Sequence, residues 1–349
     1  MRDQYLERCD FVKTVLMLFV ILGHSCAFWN GTWFSAQSPA INDFVMGCVA
    51  DWFGTFHVYG FTLISGYIYS YIREERGGYE SVSTFIKNKA KRLLLPYLFV
   101  SVIWVIPVSN YFYHYDMNDI IEKFILGTSP SQLWFLLMLF DVFLIFRLTD
   151  SLKIKRSIFF IIVICLYAVG AVGQMAIFNP FQVFTALYFF PFFVIGVYLR
   201  ENTKHYLITN NGLLAKPKYL FVLFVGNIIF YLLYIYMHAF NETYMKISSR
   251  LLYLFLNFEG AITSFAILLY LAGKLDYQQS PIYKQLAQNN FAMYLFHQQI
   301  IYIVITMLNG VILPAMHALI NMLLSVVISF VIALLFRHFR LTRILIGEK

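Results

Sequence analysis

Apolar stretches of roughly 18 to 23 residues recur at approximately 11–30, 51–72, 93–113, 131–148, 157–173, 181–199, 219–238, 251–273, 289–309 and 317–336. As a helix rising about 1.5 Å per residue, each is long enough to cross about 30 Å of hydrocarbon. The pattern predicts an all-α polytopic membrane bundle of about ten transmembrane helices. The longest polar stretches, about 73–92 and 200–218, are loop-sized, and no internal repeat divides the chain. Residues 1–349 therefore read as a single membrane domain. The apolar run after Arg2, Arg8 and Lys13 has no small-residue cleavage site, so it is read as a retained first helix rather than a signal peptide.

Charge tests this count. With ten spans and the N-terminus inside, 23 of the 26 Lys and Arg residues fall on the cytoplasmic side, and only Lys123, Lys246 and Arg250 fall outside. A missed or extra span would scramble that asymmetry, so the expectation is ten crossings with both termini cytoplasmic, in the cytoplasmic (inner) membrane. The net charge of +8 is then loop charge at a lipid surface and needs no nucleic-acid partner.

Composition agrees. The chain is 60% hydrophobic and 13% charged, with mean hydropathy +0.69, whereas a soluble domain has about a quarter charged residues. Aromatic residues, at 19%, suit two membrane interfaces and helix contacts. Cys9, Cys26, Cys48 and Cys165 have neither C-x-x-C spacing nor partner histidines at ligand intervals, so no metal site or disulfide framework is indicated.

The candidate chemistry lies in polar residues that lipid would reject. Lys13 and His24 are eleven residues apart on the first helix, about 20° around the axis and about 16 Å along it. They share one face, with Lys13 at the inner boundary and His24 in the outer third, in Gly23-His24-Ser25. Histidine is the side chain best placed to move protons near neutral pH, and ionisable groups at membrane depth are functional candidates by default. His57, entering the second span from outside, reaches roughly the depth of His24. Lys89 and Arg92, three residues apart before the third span, both suit one anionic group, which would fit a phosphate-bearing donor. Asp141, Asn257, Glu259, Asn290, His297, Gln298 and Gln299 are expected to face the bundle interior.

The order of several short motifs carries a resemblance. Arg8-x-Asp10-x-x-Lys13 precedes Val20-Ile21-Leu22-Gly23-His24. Phe61 to Gly66 follows, including Ser65, and then Lys89-x-x-Arg92 leading to Leu95-Pro96-Tyr97. Trp134-Phe135-Leu136 and Tyr294-Leu295-Phe296-His297 complete the set. In this order, in length and in span count, the chain resembles the acyltransferase 3 family of membrane-bound acyltransferases, in the branch similar to fucose 4-O-acetylases. Lys13 and Lys89 stand where many members have arginine, keeping the charge without the planar fork, and Asn290 replaces a common serine. Many relatives append an esterase-like domain, and its absence here is similar to the stand-alone members.

The resemblance implies O-acyl transfer from cytoplasmic acyl-CoA, usually acetyl-CoA, to a hydroxyl of a sugar or cell-surface polysaccharide. Partners are then a carbohydrate acceptor and membrane lipid, and a homo-oligomer is compatible with this. On this reading Lys13, Lys89 and Arg92, with Ser65, hold the donor, and Trp134 and His297 meet the acceptor. His24 acts as general base or as acyl carrier. Glu259, Asp141 and His57 remain equal candidates to orient its imidazole. A transporter or flippase of a lipid-linked saccharide would use the same intramembrane charges as a coupling site, although no inverted repeat accompanies them.

Overall fold

The computed structural model describes residues 4–31, 33–152, 154–176, 178–203 and 216–348. These are 83% helical with no strand among them, so the expected all-α architecture is what the chain adopts. The helices are α1 (Gln4–Cys26), α2 (Phe44–Gly54), α3 (His57–Glu75), α4 (Val82–Val100), α5 (Ile106–Tyr113), α6 (Met117–Ile120) and α7 (Trp134–Ser151). Then follow α8 (Arg156–Ala176), α9 (Val183–Thr203), α10 (Pro217–His238), α11 (Thr243–Ala272), α12 (Pro281–Leu308), α13 (Pro314–His338) and α14 (Arg340–Leu345).

Among the described residues, nine helices are long and apolar enough to cross a membrane, and they cover nine of the ten expected spans. The exception is 51–72. There the chain is divided at Thr55–Phe56 into the short α2 and the 19-residue α3. At about 1.5 Å per residue α3 reaches about 28 Å, but His57, Thr62, Ser65 and Ser70 leave it more polar than the other nine. The count by length and composition is thus nine rather than ten.

The sequence explains the local irregularities. Ser81 caps α4 by accepting a hydrogen bond from the Thr84 amide at 3.3 Å. Pro107 has no amide hydrogen to continue the ladder, and just before it Ser101–Val105 widens into a π-turn, with the Ile106 amide donating to the Ser101 carbonyl. α5 ends at His114, which is left-handed at φ +51.

The described chain clusters into two compact units. The first comprises Met1–Gly23, Cys48–Tyr71 and Phe192–Ala287, and the second His24–Gly47, Ile72–Pro191 and Gln288–Lys349. In the first unit α3 meets the C-terminal half of α9 at two glycines. A Cβ at Gly66 would collide with the Phe193 carbonyl, and one at Gly196 with the Leu63 carbonyl. The small residues of the Phe61–Gly66 motif therefore allow backbone-to-backbone approach, the arrangement favoured where no hydrophobic effect draws helices together.

In the second unit α13 is inside out by the standards of a soluble protein. His317, Asn321, Ser325 and Ser329, spaced four residues apart, are buried, while Leu319, Leu323, Val327, Val331 and Leu335 are exposed. Polar groups inside and aliphatic groups outside is the pattern that lipid imposes.

Candidate active site

The second unit holds a buried polar cluster built around the end of α1. α1 ends at Cys26 and tightens into a 3-10 turn over Ala27–Asn30, closed by Gly31 at φ +81. This turn brings the following segment back so that the Trp33 ring lies 5.1 Å from the His24 ring. Trp33 and Phe34 also pack on Tyr302 of α12, with centroids 4.9 and 4.6 Å apart. His24 is half-buried against this aromatic wall.

On its other side His24 meets His297, fully buried on α12. His24 Nδ1 and His297 Nε2 are 2.9 Å apart, and the two rings lie within 14° of parallel. His297 Nδ1 is 2.6 Å from the Tyr294 carbonyl oxygen. Valence fixes the protons in this chain for neutral rings. A carbonyl oxygen only accepts, so His297 Nδ1 carries hydrogen and donates. His297 Nε2 is then a lone pair, and His24 Nδ1–H donates to it. The basic lone pair of His24 therefore resides on Nε2.

The backbone carrying His297 is pinned from several sides. The Tyr294 carbonyl accepts from His297 itself, and the Leu295 carbonyl from Gln132 Nε2 at 2.8 Å. The Phe296 carbonyl accepts from Trp104 Nε1 at 3.1 Å, and the His297 carbonyl from Ser325 Oγ at 3.1 Å. Four consecutive carbonyls thus each accept a side-chain donor, using their second lone pairs. Trp104 stands in the π-turn, so the irregularity ahead of Pro107 also positions a donor to α12. Gln132 and Gln299 exchange reciprocal amide bonds at 2.8 and 3.0 Å, and Tyr294 donates its phenol to the Gln132 carbonyl.

The remaining predicted site residues of this unit lie elsewhere in it. Trp134 opens α7 and packs on Phe135 and Phe189. Asp141, further along α7, has one buried carboxylate oxygen with no hydrogen-bond partner among the described residues. Lys89 and Arg92 have different surroundings despite their spacing. The Lys89 ammonium sits 3.4 Å from the Phe143 ring centroid, with the Tyr79 and Phe85 rings at 5.3 and 5.5 Å, a cation–π enclosure. Arg92 is exposed.

In the first unit, Lys13 pairs with Asp10 at 2.6 Å. Ser65 Oγ donates to the Phe61 carbonyl at 2.8 Å, and His57 Nδ1 bonds the Phe53 carbonyl one turn back. Glu259 accepts from Asn227 and, at 2.5 Å, from Thr263 Oγ1. Asn227 in turn accepts from Trp52 Nε1 at 2.9 Å. Each of these polar groups is met by neighbours in its own unit.

Of the expected site, the structure brings together His24 and His297. Gln132 carried no signal in the sequence beyond lying two residues before Trp134, and Trp33 none beyond its neighbourhood to His24.

Searches of curated proteins and of solved structures each return no match. A family model described as an acyltransferase domain matches residues 6–338, nearly the whole chain, including both histidines of the pair and the helices that carry them. The protein therefore belongs to the acyltransferase 3 family and is a multi-pass membrane acyltransferase.

Proposed function

We propose that this acyltransferase moves an acyl group, acetyl by expectation, from acyl-CoA to a hydroxyl of a sugar or cell-surface glycan, with His24 as general base. The single observation that carries this reading is the hydrogen-bonded chain from His24 through His297 to the Tyr294 carbonyl. It supports a neutral His24 whose Nε2 takes the acceptor's proton as the hydroxyl oxygen bonds to the acyl carbon. The carbon–sulfur bond then breaks, and the proton passes from the imidazolium to the departing CoA thiolate. The charge gained by His24 strengthens its Nδ1–H bond to His297, since ionised donors make the stronger hydrogen bonds. General-base assistance of this kind is worth typically about 10²- to 10⁴-fold in rate. His297, assigned by the resemblance to the acceptor, is better supported as the residue that positions the base.

For the donor, we assign the phosphates to Arg92. It is exposed, whereas Lys13 is paired with Asp10 and Lys89 is enclosed by aromatic rings. The excess of basic residues in alternate loops supports an odd and an even side, with α3 as the tenth crossing and the donor on the cytoplasmic face of the inner membrane. The family match favours the enzyme over the transporter, and no observation favours the transporter.

The test is transfer of radiolabelled acetyl from acetyl-CoA to membrane glycan by the purified protein. Wild type is expected to label the glycan, and His24→Ala to lose at least a hundredfold in rate with an unchanged unfolding temperature. Full activity in a folded His24→Ala variant would end this reading.

A further inference from the structure

Outside the histidine cluster, three arginines from three helices of the second unit act on one carboxylate, and one of them pairs with it. After α14 the chain turns back. The Gly347 amide donates to the Ile344 carbonyl and the Glu348 amide to the Arg343 carbonyl, both at 3.0 Å. Gly347 is at φ +78, and a Cβ there would lie 2.7 Å from the Arg92 carbonyl and 2.8 Å from Pro96. Only glycine suits both the conformation and the space. This tight turn sets Glu348 beside Arg337, whose Nε is 2.6 Å from a carboxylate oxygen. Arg337 Nη1 meanwhile donates to the Gln288 carbonyl at 2.9 Å and to Asn289 Oδ1 at 3.0 Å, which holds the guanidinium in place.

Arg92 of α4 and Arg343 of α14 also act electrostatically on the same carboxylate. Arg343 Nε is buried and has no hydrogen-bond partner among the described residues. Among the described residues, three cations therefore act on this one carboxylate, and one of their donors is unsatisfied. Burial pushes the Glu348 carboxyl above its usual range, although Arg337, Arg92 and Arg343 pull it down, so the carboxylate is a costly occupant. The 3′-phosphate monoester of CoA brings more charge than a carboxylate and three acceptor oxygens, a lipid phosphodiester brings one charge and two free oxygens, and arginine forks match either bidentately.

We propose that Arg92, Arg337 and Arg343 form a phosphate-binding site in which the Glu348 carboxylate stands in for the ligand and competes with it. The shared chemistry is a phosphate group, carried either by the CoA donor or by an anionic lipid headgroup. The CoA arm rests on the donor assignment above. The lipid arm does not.

The experiment uses the full chain in nanodiscs. Coenzyme A is titrated calorimetrically into wild type, Glu348→Gln and Glu348→Gln/Arg343→Ala in phosphatidylcholine discs. The unfolding temperatures of the same proteins are then compared between phosphatidylcholine and phosphatidylglycerol discs. Removing the competing charge is expected to tighten CoA binding roughly tenfold, and removing Arg343 to abolish the gain. Gly347→Ala, which dislodges the turn without touching a charge, is expected to act in the same direction. If no protein binds CoA but phosphatidylglycerol stabilises Glu348→Gln more than wild type, the site holds lipid phosphate and the donor reading fails. If Glu348→Gln changes neither CoA affinity nor the lipid response, Glu348 is a structural ion-pair partner and the proposal is overturned.

Discussion

At the scale of single residues, catalysis by His24 depends on which of its nitrogens is basic, and that depends on His297. His297→Gln retains a side-chain oxygen able to accept from His24 Nδ1–H, whereas His297→Leu retains none. The glutamine variant is expected to stay within about tenfold of wild-type kcat and the leucine variant to fall about a hundredfold, with KM for the donor little changed in either. Equal losses in both would mean that His297 serves packing alone. Both histidines were legible as polar residues at membrane depth. Their contact was not, because it joins positions 273 apart in the chain and no local pattern encodes such a pairing. The same limit left Glu259, Asp141 and His57 as equal candidates to orient the imidazole. His24 Nδ1–H donates to another imidazole, that of His297.

At the scale of helices, two contacts have measurable consequences. Gly66 and Gly196 let α3 and α9 approach until each faces the other's backbone carbonyls. Gly66→Ala forces the helices apart and is expected to cost about 2 kcal/mol or more, read as a lowered unfolding temperature in detergent. The Gln132–Gln299 pair locks the start of α7 to α12 beside His297. Leaving one buried amide alone costs more than removing both. Gln132→Leu and Gln299→Leu are each expected to destabilise, and the double variant by about 1 kcal/mol less than their sum, the usual size of such couplings in membrane helices. Strict additivity would show that the two amides act independently. The close approach at Gly66 could be anticipated from the run of small residues. The amide lock could not, because Gln132 lies in the irregular turn ahead of α7 rather than in a periodic element.

At the scale of the whole molecule, the apolar pattern places ten spans, while among the described residues nine helices have the length and apolarity to cross, 51–72 being the exception. α3 has the length to cross but not the apolarity, because its polar side chains and glycines pack against other helices rather than lipid. On the proposed topology it crosses as well, because only then do the loop charges divide 23 to 3. Single cysteines at Asn42, Asn88 and Asn118, in a chain with its four cysteines replaced, test this with a membrane-impermeant maleimide. Asn42→Cys and Asn118→Cys are expected to label from outside intact cells, and Asn88→Cys only after permeabilisation. Labelling of Asn88→Cys in intact cells would mean that α3 does not cross and that the donor site faces the wrong compartment.

The mechanism requires that His24 present a basic Nε2 held in place by His297. Nitrogen NMR of the imidazoles in protein labelled with ¹⁵N-histidine measures this directly, with the His24 signals identified by their loss in His24→Ala. The expected result is a protonated Nδ1 and a bare Nε2 for His24. In His297→Leu the His24 signals are expected to shift toward the Nε2-protonated form, the tautomer a free histidine side chain prefers. A wild-type His24 that carries its proton on Nε2 would turn its lone pair toward His297 and contradict the mechanism.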